Sequence, residues 1–153
     1  MKMRIPFAAL VAVSAVVACS KKGSDPQPLT RTQLLTAQKW RVSSATIASP
    51  GQPTIDLTAL SPPCKLDDYV QFATPSTYVV DEGATKCDSR DPQTQLGTWA
   101  FANNDTQLSI SYTGDTYTAT VDELTASALK LTTVRLQSDG TKATIVQSFM
   151  AIK

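Results

Sequence analysis

The chain has 153 residues, and its 14 Lys and Arg nearly balance its 13 Asp and Glu, for a formal net charge of +1. No basic stripe runs along it, which argues against nucleic acid as a partner. It contains no histidine, which removes the commonest general base and the commonest metal ligand.

Lys2 and Arg4 precede a run from Ile5 to Ala18 that is almost wholly apolar, and Cys19 follows. A basic start and an apolar stretch too short to span a bilayer form the pattern of an export signal. The site Val16-Val17-Ala18-Cys19 resembles the lipobox of bacterial lipoproteins. That resemblance implies cleavage after Ala18 and a diacylglycerol thioether and an acylated amine on Cys19. Several acyl chains, at about 0.8 kcal/mol per buried CH₂, make a stable membrane anchor. The alternatives are an ordinary secretory signal cut elsewhere, or a core helix. Residues 1–18 are thus expected to be a signal peptide. Residues 19–28, with the polar run Ser20 to Pro28, form a flexible tether, and 29–153 make one folded domain. Ser20 stands where an aspartate retains some lipoproteins at the inner membrane. By the same resemblance the expected location is the outer membrane, with the face left open.

Leu29 to Gln38 predicts a short helix, with Thr30 or Thr32 as its cap and Leu34 and Leu35 turned inward. A strand follows from about Trp40 to Ala48. Ser49 to Asp67 is a long proline-rich loop whose Ile55, Leu57 and Leu60 imply packing on something. Tyr69 to Ala73 and Thr77 to Asp81 are rich in β-branched and aromatic residues and read as strands about a Thr74-Pro75-Ser76 turn. Gly83 to Thr94 is a second long loop. Gln95 to Ala102, Gln107 to Tyr112, a strand carrying Tyr117, Ala119 and Val121, a strand with Leu129 and Leu131, and Lys142 to Ile152 complete the set. The turns Asn103-Asn104-Asp105, Thr113-Gly114-Asp115, Glu123 to Ala126 and Ser138-Asp139-Gly140 separate them. The alternation blurs at Val134 and Leu136, which suggests a bulge there.

Eight strands joined mostly by tight turns predict an all-β fold: an eight-stranded antiparallel up-and-down barrel with a short N-terminal helix. An open sheet sandwich is the alternative. Folding the hairpin about Pro75 brings Cys64 and Cys87 opposite each other to within a residue, at a separation suited to a disulfide. Two free buried thiols are the alternative, disfavoured in the oxidising compartment that export implies. In a meander, alternate connections share an end. Both long loops, and the disulfide between them, therefore fall on one rim, while Trp40 and the helix could plug the other end.

The lipobox, Leu34-Leu35 before Trp40, Cys64 with Asp67-Asp68-Tyr69 and Phe72, then Tyr78, Cys87 and Gly97-Thr98-Trp99 together resemble a bacterial lipocalin-like lipoprotein. The resemblance implies an eight-stranded barrel, often with an apolar ligand in its mouth. It also implies an arginine packed on the first-strand tryptophan, for which Arg135 is the candidate.

Catalysis is not expected. Cys19 is assigned to lipid and Cys64 and Cys87 to each other, so no thiol nucleophile remains. No serine sits in a G-x-S-x-G elbow, no cofactor is implied, and no metal is called for. Asp81 with Glu82, and Asp88 with Asp91, could hold calcium, but solvated loop charge is the preferred reading. Two functions remain. One is a binding module for a small apolar ligand, with Leu57 and Leu60 as lid and Phe72, Tyr78, Trp99, Tyr112 and Tyr117 as candidate walls. The other is a filled barrel whose long loops dock a protein or glycan. The expected partners are the membrane, through Cys19, and a small hydrophobic ligand, with the protein itself a monomer.

Overall fold

The computed structural model describes residues 27–153. The expected signal segment, Cys19 and most of the tether lie outside the described residues. The chain first forms a helix, α1 (Arg31–Thr36), closed by a capping box. The Thr30 hydroxyl accepts from the Gln33 amide at 3.1 Å, and the Gln33 side chain accepts from the Thr30 amide at 2.8 Å. The helix is shorter than Leu29 to Gln38 because the chain must turn into the first strand at Lys39. It is one and a half turns long and depends on packing to persist. Leu35 provides that packing and is fully buried.

The strands are β1 (Lys39–Ala48), β2 (Ile55–Asp56), β3 (Tyr69–Ala73), β4 (Thr77–Asp81), β5 (Thr94–Ala102), β6 (Gln107–Tyr112), β7 (Asp115–Leu124), β8 (Ala128–Leu136) and β9 (Lys142–Ile152). From β3 to β9 each strand pairs antiparallel with the next, and β9 returns to pair with β1 along its length. Eight strands thus close into a barrel, with β2 an added two-residue strand on the edge of β1. An eight-stranded barrel has an interior just wide enough for side chains or one small ligand.

The seam between β1 and β3 is the short one. It holds only from Lys39↔Gln71 to Arg41↔Tyr69. Beyond it the first long loop takes over the edge of β1. Thr46 and Ile47 pair with β2, and the Ala45 amide donates to the Thr58 hydroxyl at 2.7 Å. Thr58 lies on a one-turn helix, α2 (Leu57–Leu60), capped by the Asp56 carboxylate, which accepts from the Thr58 and Ala59 amides. A 3-10 turn at Pro63–Lys65 follows. The stretch from Ser49 to Asp67, expected as a loop, therefore contains a strand and two helical turns. The backbone groups left over by the short seam account for them, since they need partners wherever they are buried.

Register breaks occur in β1 between Val42 and Ser44 and in β7 between Val121 and Glu123. The bulge expected near Val134 and Leu136 is not there. β8 runs in unbroken register against β9, from Ala128↔Met150 to Leu136↔Lys142. Val134 and Leu136 lie on the outer face, 58% and 72% exposed. The alternation looked blurred because the inward positions beside them are polar: Thr133 and Arg135.

The lower half of the barrel is filled. Leu35, Trp40, Phe72, Trp99, Leu108, Val121, Leu129 and Phe149 form one buried cluster against α1. The Trp99 ring meets Phe72 edge-on at 5.7 Å and Phe101 at 5.6 Å, geometries that aromatic rings favour. Both buried indoles are satisfied by carbonyls: Trp40 donates to Leu35 and Trp99 to Ala73, each at 2.9 Å.

Candidate functional site at the barrel mouth

The end opposite α1 carries the β1–β3, β4–β5, β6–β7 and β8–β9 connections. Cys64 and Cys87 form a disulfide there, with Cα atoms 5.3 Å apart. It ties the 3-10 turn of the first long loop to the second loop. The Asp67 carboxylate reinforces the link by accepting from the Ala84 and Thr85 amides and the Thr85 hydroxyl, at 2.7–2.9 Å.

Below the disulfide, Lys65 reaches inward to Glu82 at 2.6 Å and Asp68 at 3.3 Å. Glu82 is 5% exposed, so its charge needs this partner. The hydrogen bond to Glu82 raises the Lys65 pKa. Burial raises that of Asp68, against the pull of Lys65. Tyr112 stands next to this group, with Tyr78 and Tyr117 beside it. Tyr78 is buried, with its ring 5.9 Å from that of Tyr112, and Tyr112 donates to Gln95 at 3.0 Å. Burial raises the pKa of Tyr78, Tyr112 and Tyr117, so they act as neutral hydroxyls.

Gly97 explains how two of these rings meet. It pairs with Tyr78 across β4–β5, and continuing the β5–β6 register sets it beside Tyr112. Having no side chain, it leaves the two rings to touch over it. A Cβ there would also stand 2.2 Å from the Ser111 carbonyl oxygen.

Above the tyrosines the interior opens. A cavity of about 370 Å³ is lined by Leu57, Tyr117, Thr133, Arg135, Ile145 and Gln147. Leu57 reaches it from α2. A second cavity of about 220 Å³ shares Leu57 and Gln147 and runs under α2 along Val42, Ala45, Thr58 and Leu66. A third, of about 490 Å³, shares Tyr117 and Arg135 and opens to the outside between β7 and β8. The cause lies in the register. The β7–β8 ladder stops at Ala119↔Thr133, so Asp115–Thr118 stay paired with β6 and Val134–Leu136 with β9, but not with each other, toward the mouth. Arg135 spans this split, its guanidinium 5.5 Å from the Tyr117 ring centroid.

The candidate residues thus divide. Leu57, Tyr112 and Tyr117 lie at the mouth. Tyr78 is buried directly beneath it. Phe72 and Trp99 belong to the packed floor, because their strand positions fall in the half that α1 closes. Leu60 is 71% exposed and lines neither inner cavity. Arg135 lies over Tyr117 at the mouth, not on Trp40 at the floor. Three of the four carboxylates weighed for calcium are otherwise engaged: Asp81 accepts from Gln93 and Gly83, Glu82 from Lys65, and Asp88 from Arg90. Thr133, Ile145, Gln147 and the Lys65–Asp68–Glu82 group escaped notice in the sequence. Continuing the alternation of Leu129 and Leu131 through Thr133 to Arg135 would have found one wall.

A family profile described as the lipocalin-like domain matches residues 37–131, which covers β1 to β7 and the start of β8. The chain belongs to the lipocalin-like domain family. Among solved structures it is similar to bovine odorant binding protein in complex with a selenium-containing odorant. The identity is 12%, over 85% of this chain and 78% of that one, with a TM-score of 0.47. It is similar also to a deswapped triple mutant of bovine odorant binding protein, at 12% identity over 76% of this chain and 73% of that one, with a TM-score of 0.45. No curated protein sequence matches the chain. As a lipocalin-like domain, this barrel carries a closed floor and an open, partly polar mouth.

Proposed function

We propose that this protein is a lipid-anchored, non-catalytic binding module that holds a small, largely apolar ligand in a shallow cup at the barrel mouth. The carrying observation is the half-open cavity of about 370 Å³ bounded by Leu57, Tyr117, Thr133, Arg135, Ile145 and Gln147. Its size is in the range of small-molecule sites, and its mix of apolar walls with a few polar groups is what such sites present. The filled floor restricts any ligand to the upper half. The lipobox supports an anchor on Cys19, and Ser20 supports an outer-membrane location.

Native mass spectrometry of protein exported from a bacterial host tests this, followed by denaturation without reductant and analysis of an organic extract. A reproducible small molecule released on denaturation establishes a carrier and names its class. A bare mass, light by two hydrogens for the disulfide, removes the support for a resident ligand.

A second reading rests on a different observation. Ile55 and Leu60 on the first long loop are 49% and 71% exposed. Exposed apolar residues on a held loop suit docking of a protein or glycan partner. Repeated pull-downs with the lipidated protein that return nothing would remove this reading.

A further inference from the structure

We infer that the split between β7 and β8 is a docking slot for the extended C-terminal tail of a partner polypeptide. The tail pairs its backbone with the edge of β8 at residues 134–136 and ends with its carboxylate on Arg135. This goes beyond the cup reading, because the tail lies in the barrel wall and its binding needs no ligand in the lumen.

The first argument is unpaired backbone. Residues 115–118 of β7 pair with β6 and residues 134–136 of β8 pair with β9, but the two stretches do not pair with each other. Along a strand, alternate residues direct their N–H and C=O groups to opposite edges. Each stretch therefore turns some of its backbone donors and acceptors into the split. Among the described residues, no backbone hydrogen bond outside the ladders reaches them. The side-chain bond made there, between the hydroxyls of Thr116 and Ser111, lies toward β6. An edge of this kind is completed by an added extended chain.

The second argument is shape. The split holds a space of about 490 Å³. It is closed at its lower end by the Ala119↔Thr133 pair and open toward the rim. Its two edges face each other rather than outward, so a second folded barrel cannot reach them and a single extended strand can. Antiparallel pairing with β8, the slightly stronger mode, points the C-terminal end of that strand at the closed end. Val134 and Leu136, 58% and 72% exposed, flank its path on the outer face. Thr116 and Thr118 stand opposite, also exposed. These are partners for the cross-strand contacts of β-branched and apolar side chains.

The third argument is charge. Arg135 and Asp115 both line the space, and among the described residues neither makes an ion pair. Arg135 stands just above the closing Thr133, its guanidinium over the Tyr117 ring. Its planar fork of donors matches a carboxylate. A chain that enters from the rim must also stop near this level, and a free C-terminus meets both conditions. Asp115, nearer the rim, favours a basic residue earlier in the tail.

The test is hydrogen–deuterium exchange, read by mass spectrometry, on the full chain purified from an exporting host in mild detergent. The probe is the N-acetylated pentapeptide Lys-Thr-Val-Thr-Val with a free C-terminus, at millimolar concentration. Its controls are the C-terminal amide and two forms of the acid N-methylated on alternate residues, one for each register. The acid should slow exchange at 115–118 and 134–136 and leave the segment around Leu57 unchanged. The amide should need about tenfold more peptide for half the effect, the scale of one charge-assisted contact. One N-methylated form should have no effect, since it lacks the donors that face β8. Arg135→Gln should erase the difference between acid and amide, with near-UV circular dichroism that matches the wild type. No slowing at the two edges overturns the slot. Equal half-effects for acid and amide on the wild type overturn the terminal carboxylate. Slowing around Leu57 in place of the edges places the peptide in the cup and overturns docking in the wall.

Discussion

The indole Nε1 of Trp40 donates to the carbonyl oxygen of Leu35 at 2.9 Å, and both residues are fully buried. This one bond fixes the end of α1 to the start of β1 and so seals the floor of the barrel. Trp40→Phe keeps most of the apolar volume and leaves a buried carbonyl without its donor. The expected loss is about 1–3 kcal/mol, read as a lower urea midpoint with an unchanged slope. An unchanged midpoint would mean that α1 does not depend on this contact.

Gly97 should not tolerate a side chain. A Cβ 2.2 Å from the Ser111 carbonyl oxygen meets backbone, which cannot swing aside. Gly97→Ala should therefore push β5 from β6 and cost about 1–3 kcal/mol. Gly114→Ala is the comparison, because its Cβ would meet nothing within 4 Å and only its φ of +87° opposes the change. Thermal melts of the two variants should rank Gly97→Ala as the less stable.

The disulfide closes a loop with a sequence separation of 23. On the chain-entropy account, replacing both Cys64 and Cys87 by Ser should destabilise the fold by about 3 kcal/mol. Denaturant titrations without reductant measure this. Adding reductant should bring the wild type to the variant's midpoint.

Asp67 gives the rim a pH dependence. Its pKa is lowered, chiefly by the Thr85 hydroxyl and also by the Ala84 and Thr85 amides. A carboxyl whose pKa is depressed on folding stabilises the folded state above its unfolded value, near 3.9. That stability is lost as pH falls through the folded value. Asp67→Asn should therefore flatten the fall of the urea midpoint below about pH 4. Parallel wild-type and variant curves would exclude Asp67 as a source of the acid response.

Much of the barrel is legible in the sequence, and the reasons are local. Tyr69–Ala73 and Thr77–Asp81 stand out through their β-branched and aromatic content on either side of Pro75. Gln107–Tyr112 stands out through Leu108, Ile110 and Tyr112 alternating with serines. Cys64 and Cys87 follow from the hairpin between them. What is not legible depends on partners distant in the chain. β2 and α2 exist because β1 parts from β3 after Arg41, which nothing in Ser49 to Asp67 announces. The mouth is harder still. Thr133, Arg135 and Gln147 look like surface residues, and only closure of the barrel turns them inward. Phe72 and Trp99 look like pocket walls, and only the position of α1 assigns them to the floor.

The pairing of β1 with β9 has a bearing on how the protein comes into being. The first strand to emerge finds its main partner last: it makes three residue pairs with β3, and its long ladder waits for Lys142–Ile152. Until the final strand is in place, β1 presents an unsatisfied edge to every other nascent copy. Contacts between strands so far apart in sequence also form slowly. The interval between synthesis and closure is therefore when this chain is most open to strand pairing between molecules, and when a holdase chaperone would matter most to its yield.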